Sequence, residues 1–158
     1  MKIVTDSLKA TFDRGWGFLT QIIDVCPDAV WTKKAGGFVF WQQLYHCFAC
    51  VDYFLMPKDG TLDAGSCGME IAMLKTEPKT ALSKEEVKAY AAKMKAKADA
   101  WIATLDDATL SKEHEGFTSR RGSSVCNAML LGIMSGHSSY HIGSCDAILR
   151  DNGEKGVM

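Results

Sequence analysis

The sequence predicts an all-α protein, a four-helix bundle, and three observations carry that expectation. Four stretches space their apolar residues at three- and four-residue intervals, the period of a helix that buries one face. Proline, glycine and a serine-led capping box punctuate these stretches where helices start and stop. With 158 residues, 47% of them hydrophobic, the chain is long enough to bury a core of its own, so residues 1–158 read as a single domain.

The first stretch runs from about Asp6 to Cys26, carries Leu8, Phe12, Trp16, Leu19, Ile22 and Ile23, and stops at Pro27. Gly15 and Gly17 weaken its middle by about 1 kcal/mol each relative to alanine, which a close approach by another helix would explain. Residues 31–37 read as a connection. The second helix spans Phe38 to Met56 and stops at Pro57, whose ring breaks a helix. With His46 as the reference direction, Val39, Gln42, Gln43, Ala49, Cys50 and Tyr53 share its face, and Trp41, Leu44, Phe48, Val51 and Leu55 cover the opposite one. A helix apolar on both sides is either central to the core or covered by a second copy.

Lys58 to Leu82 contains Gly60, Gly65, Gly68 and Pro78 and is long for a bundle turn, where about 2–8 residues suffice. Its length permits a crossover between parallel helices, with a short helix around residues 68–74 and a flap over one end of the bundle. Ser83-Lys-Glu-Glu86 is a capping box, in which serine oxygen and glutamate satisfy free backbone donors. The third helix follows, burying Val87, Tyr90, Ala91, Met94, Ala98, Trp101, Ile102 and Leu105 and solvating its lysines. Residues 106–122 read as a polar connection with His114 in an exposed loop. The fourth helix starts at Ser123 or Ser124 and ends at Asp151-Asn152, before Gly153. Its inward face holds Cys126, Leu130, Ile133, His137, His141, Ser144 and Ile148. A second stripe, Gly132, Gly136, Ser139 and Gly143, is small enough for a neighbouring backbone to approach.

The 18 basic and 19 acidic side chains leave a net charge of −1, which supplies no field for steering nucleic acid or an anionic membrane. No apolar run reaches the roughly 20 residues that cross a bilayer, and the N-terminus lacks a signal-peptide pattern. A cytoplasmic protein acting on a small molecule, without nucleic-acid or membrane partners, is expected. Six cysteines in a chain of this size and location read as reduced thiols, with Cys26, Cys126 and Cys145 as small hydrophobes.

His137 and His141, four residues apart on a helix, share a face and replace apolar residues in the core stripe. Burying two imidazoles side by side without partners is costly, so their placement favours a shared ligand. His46 is a third histidine predicted to face inward. Three neutral imidazoles with an open fourth position is the composition of a catalytic zinc site, and suits nickel or ferrous iron as well. The open place would hold water or a substrate thiolate. Cys50, one turn after His46, offers the alternative of a closed three-histidine, one-cysteine tetrahedron, which would be structural. Cys47 and Cys50 also have the spacing of a redox pair, although no preceding strand is apparent. Asp52 lies off the histidine face as a surface or supporting residue, and Gln42, Gln43 and Tyr53 are pocket-lining candidates.

Trp41-Gln-Gln-Leu-Tyr-His46, followed by Asp52-Tyr-Phe-Leu55 and then His137-Ser-Ser-Tyr-His141-Ile-Gly143, resembles the DinB/YfiT-like superfamily of metal-binding four-helix bundles. The resemblance implies an up-down-down-up bundle, consistent with the long connection between the second and third helices. It also implies a divalent metal on His46, His137 and His141, frequently in a homodimer. Some members are transferases or isomerases using low-molecular-weight thiols such as bacillithiol or mycothiol, so a thiol-dependent S-transferase or a related hydrolase or isomerase is the expected activity. Cys47 and Cys50 depart from the aliphatic or aromatic residues more usual there. That departure keeps open a non-catalytic, metal-stabilised bundle closed by Cys50, acting in sensing, storage or partner binding.

Overall fold

A computed structural model describes residues 2–158. The chain forms α1 (Ile3–Val25), a one-turn α2 (Asp28–Trp31), a hairpin of β1 (Lys34–Ala35) and β2 (Phe38–Val39), and α3 (Phe40–Leu55). A 3₁₀ turn (Gly65–Cys67) and a one-turn α4 (Met69–Ala72) follow, then α5 (Lys84–Ala103), α6 (Glu115–Arg121) and α7 (Asn127–Asp151). The fold is all-α apart from the two-residue strands, and α1, α3, α5 and α7 are the four helices expected from periodicity. None of the described helices is long and apolar enough to cross a membrane.

α1 packs on α5 and α7, and α3 packs on the same two, so α1 and α3 meet only across the core. The rings of Trp16 and Phe48 make that crossing, with centroids 5.0 Å apart. Along the seam of α1 and α2 with α5, Lys84 pairs with Asp28 at 2.9 Å, Lys88 with Asp24, and Lys95 with Asp13 at 2.9 Å. Much of the lysine face of α5 is thus an ion-pair face. Exposed pairs of this kind contribute about 0–1 kcal/mol each, so the seam is held chiefly by Val87, Ala91, Met94 and Ala98 beneath them.

Several boundaries differ from the expectation. The stretch 31–37 is not a plain connection: Gly36 (φ 61°) and Gly37 (φ 91°) adopt the left-handed geometry of a tight hairpin turn, pairing Ala35 with Phe38. α3 therefore begins at Phe40, after the hairpin. Residues 106–122 contain α6, and His114 is its N-cap, its Nδ1 accepting the Phe117 N–H at 3.1 Å. The histidine expected in an exposed loop is half-buried, with its ring edge-on to Trp101. α7 starts at Asn127 with Cys126 as N-cap, because Asn127 and Ala128 are still donating to Lys112 and Thr109–Leu110 carbonyls and Ser123–Ser124 lie outside. The small-residue stripe of α7 receives no backbone: a Cβ at Gly132, Gly136 or Gly143 would meet nothing within 4 Å.

α3 is buried on nearly every side, as its two apolar faces require. No second copy is needed to cover it. α5 and α7 take two sides, and the connection after Pro57 folds back over a third. Asp52, expected as a surface or supporting residue, is 1% exposed and performs that stitching. Its carboxylate accepts the Asp63 N–H at 2.7 Å and pairs with Lys97 of α5. Tyr45 stacks on Tyr90 at 4.2 Å, and their hydroxyls donate to the carbonyls of Ala64 (2.9 Å) and Asp63 (2.6 Å).

Asp52→Ala removes an acceptor from a buried backbone donor, so it should lower unfolding free energy by about 1–3 kcal/mol in urea titrations. Ser83→Ala, which loses the Glu86 N–H cap, should cost about 1 kcal/mol. An Asp52→Ala protein as stable as the wild type would mean that the connection docks without the carboxylate.

Candidate metal centre

The seam between α3 and α7 brings together the three histidines that the sequence singles out. The ligand-capable nitrogens of His46, His137 and His141 lie within 4.8 Å of one another, and among the described residues no cysteine or carboxylate joins the group. His46 comes from the middle of α3, and the pair on α7 sits one turn apart, as i and i+4 positions on one helix face must. The three rings stand edge to face, with centroids 4.6 to 5.2 Å apart. His137 Nε2 and His141 Nε2 are 3.2 Å apart. Two nitrogens at zinc-bond length on a tetrahedral centre would be about 3.3 Å apart, so this edge already has the spacing of a shared cation.

The inward face of α7 is rotated from the one expected. Leu130, Leu131, Met134, Ser138, His141, Ile142 and Cys145 are buried, because α7 packs on α1 as well as α3. His141 lies in this stripe at 3% exposed, whereas His137 lies at its edge, half-buried. The cluster consequently has a deep histidine and a histidine nearer solvent.

Burial dominates the electrostatics. It drives His141 down to about 3 and His137 to about 4, with the neighbouring imidazoles adding to both shifts. His46 is also lowered, burial outweighing the Ala72 carbonyl that would raise it. All three are neutral at pH 7 and have lone pairs to give. The tautomer of His46 follows from its partner: Nδ1 is 2.9 Å from the Ala72 carbonyl oxygen, which can only accept, so Nδ1 carries the hydrogen and Nε2 the lone pair. His141 Nδ1 is buried with no hydrogen-bond partner among the described residues. Neutral imidazoles, a 3.2 Å nitrogen edge and an oriented His46 fit a divalent cation.

Cys50 is close without being aligned. Its sulfur is 3.4 Å from His46 Nε2 and 3.7 Å from Nδ1, so it sits beside the ring and not in front of the Nε2 lone pair. Burial, and then Cys47, raise its thiol well above the ordinary range, which keeps it protonated. Cys47 is buried against Ser138, at 3.9 Å, and burial pushes it up to about 12 despite that hydroxyl. Both are free thiols, as are the other four cysteines.

The expected pocket residues serve the backbone. Gln43 is buried, donating to the Ala35 carbonyl at 3.3 Å and accepting from Ser144 at 2.9 Å, which ties the hairpin to α7. Gln42 donates to the carbonyls of Ile71 and Thr76. Tyr53 lies under the Arg120 guanidinium, 5.3 Å from its ring centre. Arg120 also donates to the carbonyls of Tyr53 (2.7 Å) and Pro57 (3.1 Å) at the end of α3, as a cation at a helix C-terminus should. α6 approaches closely enough that a Cβ on Gly116 would run into the Met56 and Pro57 backbone.

This docking sets Phe117 edge-on to Phe54 at 5.5 Å, and Phe54 edge-on to His137 at 5.6 Å. The apolar wall was missing from the sequence reading. Phe54 is eight residues from His46, about 80° around the helix, so periodicity could have found it. Phe117, on an unexpected helix, and the Ala72 carbonyl, a backbone group, carry no such signal.

No curated protein and no solved structure matches the chain. The family model described as DinB superfamily matches residues 11–145, a span that contains α3, α5, the connection between them and all three clustered histidines. The chain belongs to the DinB superfamily.

Proposed function

We propose that this chain is a metal-dependent enzyme in which His46, His137 and His141 hold one divalent ion, zinc or nickel before iron, and leave a coordination place for a small-molecule substrate. The observation that carries this reading is the convergence of three neutral imidazoles from two helices, with no acidic residue or thiol inside the group. A bound divalent ion would supply Lewis acidity there, either generating hydroxide near neutral pH or stabilising a substrate thiolate. A thiol-dependent S-transferase, or a related hydrolase or isomerase, follows from that chemistry and from the resemblance to the superfamily.

The chain's own residues divide the remaining work. His141 anchors the deep side, and His46 is oriented from behind by the Ala72 carbonyl. Phe54 and Phe117 shield one flank of His137 from water, which strengthens any charge interaction beside it. Asp52 is committed to Lys97 and Asp63, so we assign it no role as a base.

The proposed arrangement of the four long helices is up-down-down-up. The pairs Asp28–Lys84 and Asp13–Lys95 support opposed α1 and α5, and Tyr45–Tyr90 with Asp52–Lys97 support parallel α3 and α5. A cytoplasmic homodimer is proposed on the family resemblance. The exposed stripe of Gly132, Gly136 and Gly143 leaves room for a second copy.

The second reading, a non-catalytic bundle whose site Cys50 closes, is favoured by the 3.4 Å approach of its sulfur to His46. It is disfavoured by the position of that sulfur beside the ring.

Protein purified without chelators should carry about one divalent ion per chain, and His46→Ala, His137→Ala or His141→Ala should each lose it by elemental analysis. Cys50→Ala should keep the ion, and added imidazole or thiol should shift the visible spectrum of the cobalt-substituted protein. Joint loss of metal and thermal stability in Cys50→Ala would support the closed site instead. Light scattering should give the mass of two chains, and a monomer at all concentrations would remove the dimer.

A further inference from the structure

The geometry points to Gln42 as a positioning residue for the metal ligand His46, acting through the backbone of the connection between α3 and α5. The inference rests on the metal reading above and concerns what sets the affinity of that site. Gln42 is 2% exposed and sits one turn before His46 on α3. Its amide nitrogen lies 3.0 Å from the Ile71 carbonyl and 2.8 Å from the Thr76 carbonyl. Both acceptors are carbonyls, so the two amide hydrogens are each used, and the group can face them only as NH₂.

The residue between those anchors that matters is Ala72. It is fully buried, and its carbonyl receives the His46 Nδ1–H at 2.9 Å. One turn of α3 therefore grips three carbonyls, those of Ile71, Ala72 and Thr76, with two side chains. Leu74, inside this grip, has φ 58°, the left-handed region that a leucine rarely adopts. Such a conformation persists only where its surroundings over-determine it, and the Gln42 bonds on either side supply that restraint. The amides of Ala72, Met73, Leu74, Lys75 and Thr76 are bonded within the segment, to Gly68, Met69, Ile71 and Glu70 carbonyls, so it closes on itself as a small rigid turn.

The consequence for the site is directional. With the Ala72 carbonyl held in place, His46 keeps its hydrogen on Nδ1 and offers Nε2 toward His137 and His141. If the turn moves away, the hydrogen can sit on Nε2 for part of the time, and the site weakens without any change in the three histidines. By linkage, whatever occupies Nε2 must in turn hold the turn against α3. Partners of this kind, placed behind a ligating histidine, change metal affinity by about 10–100-fold.

Two variants and one wild-type measurement test this. Gln42→Met keeps the bulk and removes both donors, and Gln42→Glu places an acceptor against two carbonyls. Each should weaken zinc binding, read by chelator competition, by about ten-fold or more. In the metal-free protein at neutral pH, ¹⁵N shifts of the His46 ring should show hydrogen on Nδ1 in the wild type, and a mixture of tautomers in Gln42→Met. A merely structural glutamine would lower thermal stability and leave both readouts unmoved. In the wild type alone, zinc should slow hydrogen exchange of the Ala72 to Thr76 amides several-fold.

A folded Gln42→Met with wild-type affinity and wild-type tautomer overturns the proposal, as does unchanged exchange in zinc-loaded wild type. Wild type that binds no metal while His46 shows the expected tautomer and its loss in Gln42→Met overturns the metal reading and leaves the positioning of His46 standing.

Discussion

Imidazoles placed where a helical bundle ordinarily keeps aliphatic side chains have to stay neutral, and the α3/α7 seam is built around that constraint. His141 is as buried as the leucines around it, and an imidazolium there would face two other rings across a low-dielectric gap. Burial keeps the protons off, so the same packing that makes the rings costly to bury also leaves their lone pairs free. A cation shared among them would offset the desolvation that their lone pairs otherwise carry into the core.

α3 is the element through which this arrangement reaches the rest of the chain. Along one helix, Gln42, Tyr45, His46 and Asp52 each bind the connection that follows, so the segment linking α3 to α5 is fastened by the helix that carries His46. Gln43 does the same for the preceding hairpin and reaches α7 through Ser144. At the far end Arg120 ties α6 to the last carbonyls of α3. Side chains that read as candidate pocket polarity are instead the means by which irregular backbone is satisfied over a buried helix.

Much of this was legible from residue spacing. The four long helices, the capping box at Ser83 and the stop at Pro57 follow from periodicity and punctuation, and the three clustered histidines are those whose helix positions predict an inward face. What escaped had physical reasons. Gly36-Gly37 is a hairpin turn too short to leave a strand pattern, and α6 has seven residues, fewer than the period needs to show itself. For Asp52 the sequence leaves open a surface or a supporting role, because its partners, Lys97 and the Asp63 amide, lie 45 and 11 residues away; it is buried and takes the second. The burial of α7 was rotated because a helix touching two neighbours buries an arc wider than any single stripe. That rotation is informative, since it makes His141 the deep histidine of the cluster and His137 the one nearer solvent.

Whether the centre is open for chemistry turns on the sulfur beside His46. Cys50 is near enough to invite coordination, yet its sulfur lies beside the His46 ring. X-ray absorption of the zinc-loaded protein addresses this directly. The account predicts a first shell of three imidazole nitrogens completed by light atoms, with no sulfur scatterer near the roughly 2.3 Å of a zinc–thiolate bond. A sulfur at that distance would contradict the open centre, and a shell without imidazole would contradict the metal centre itself.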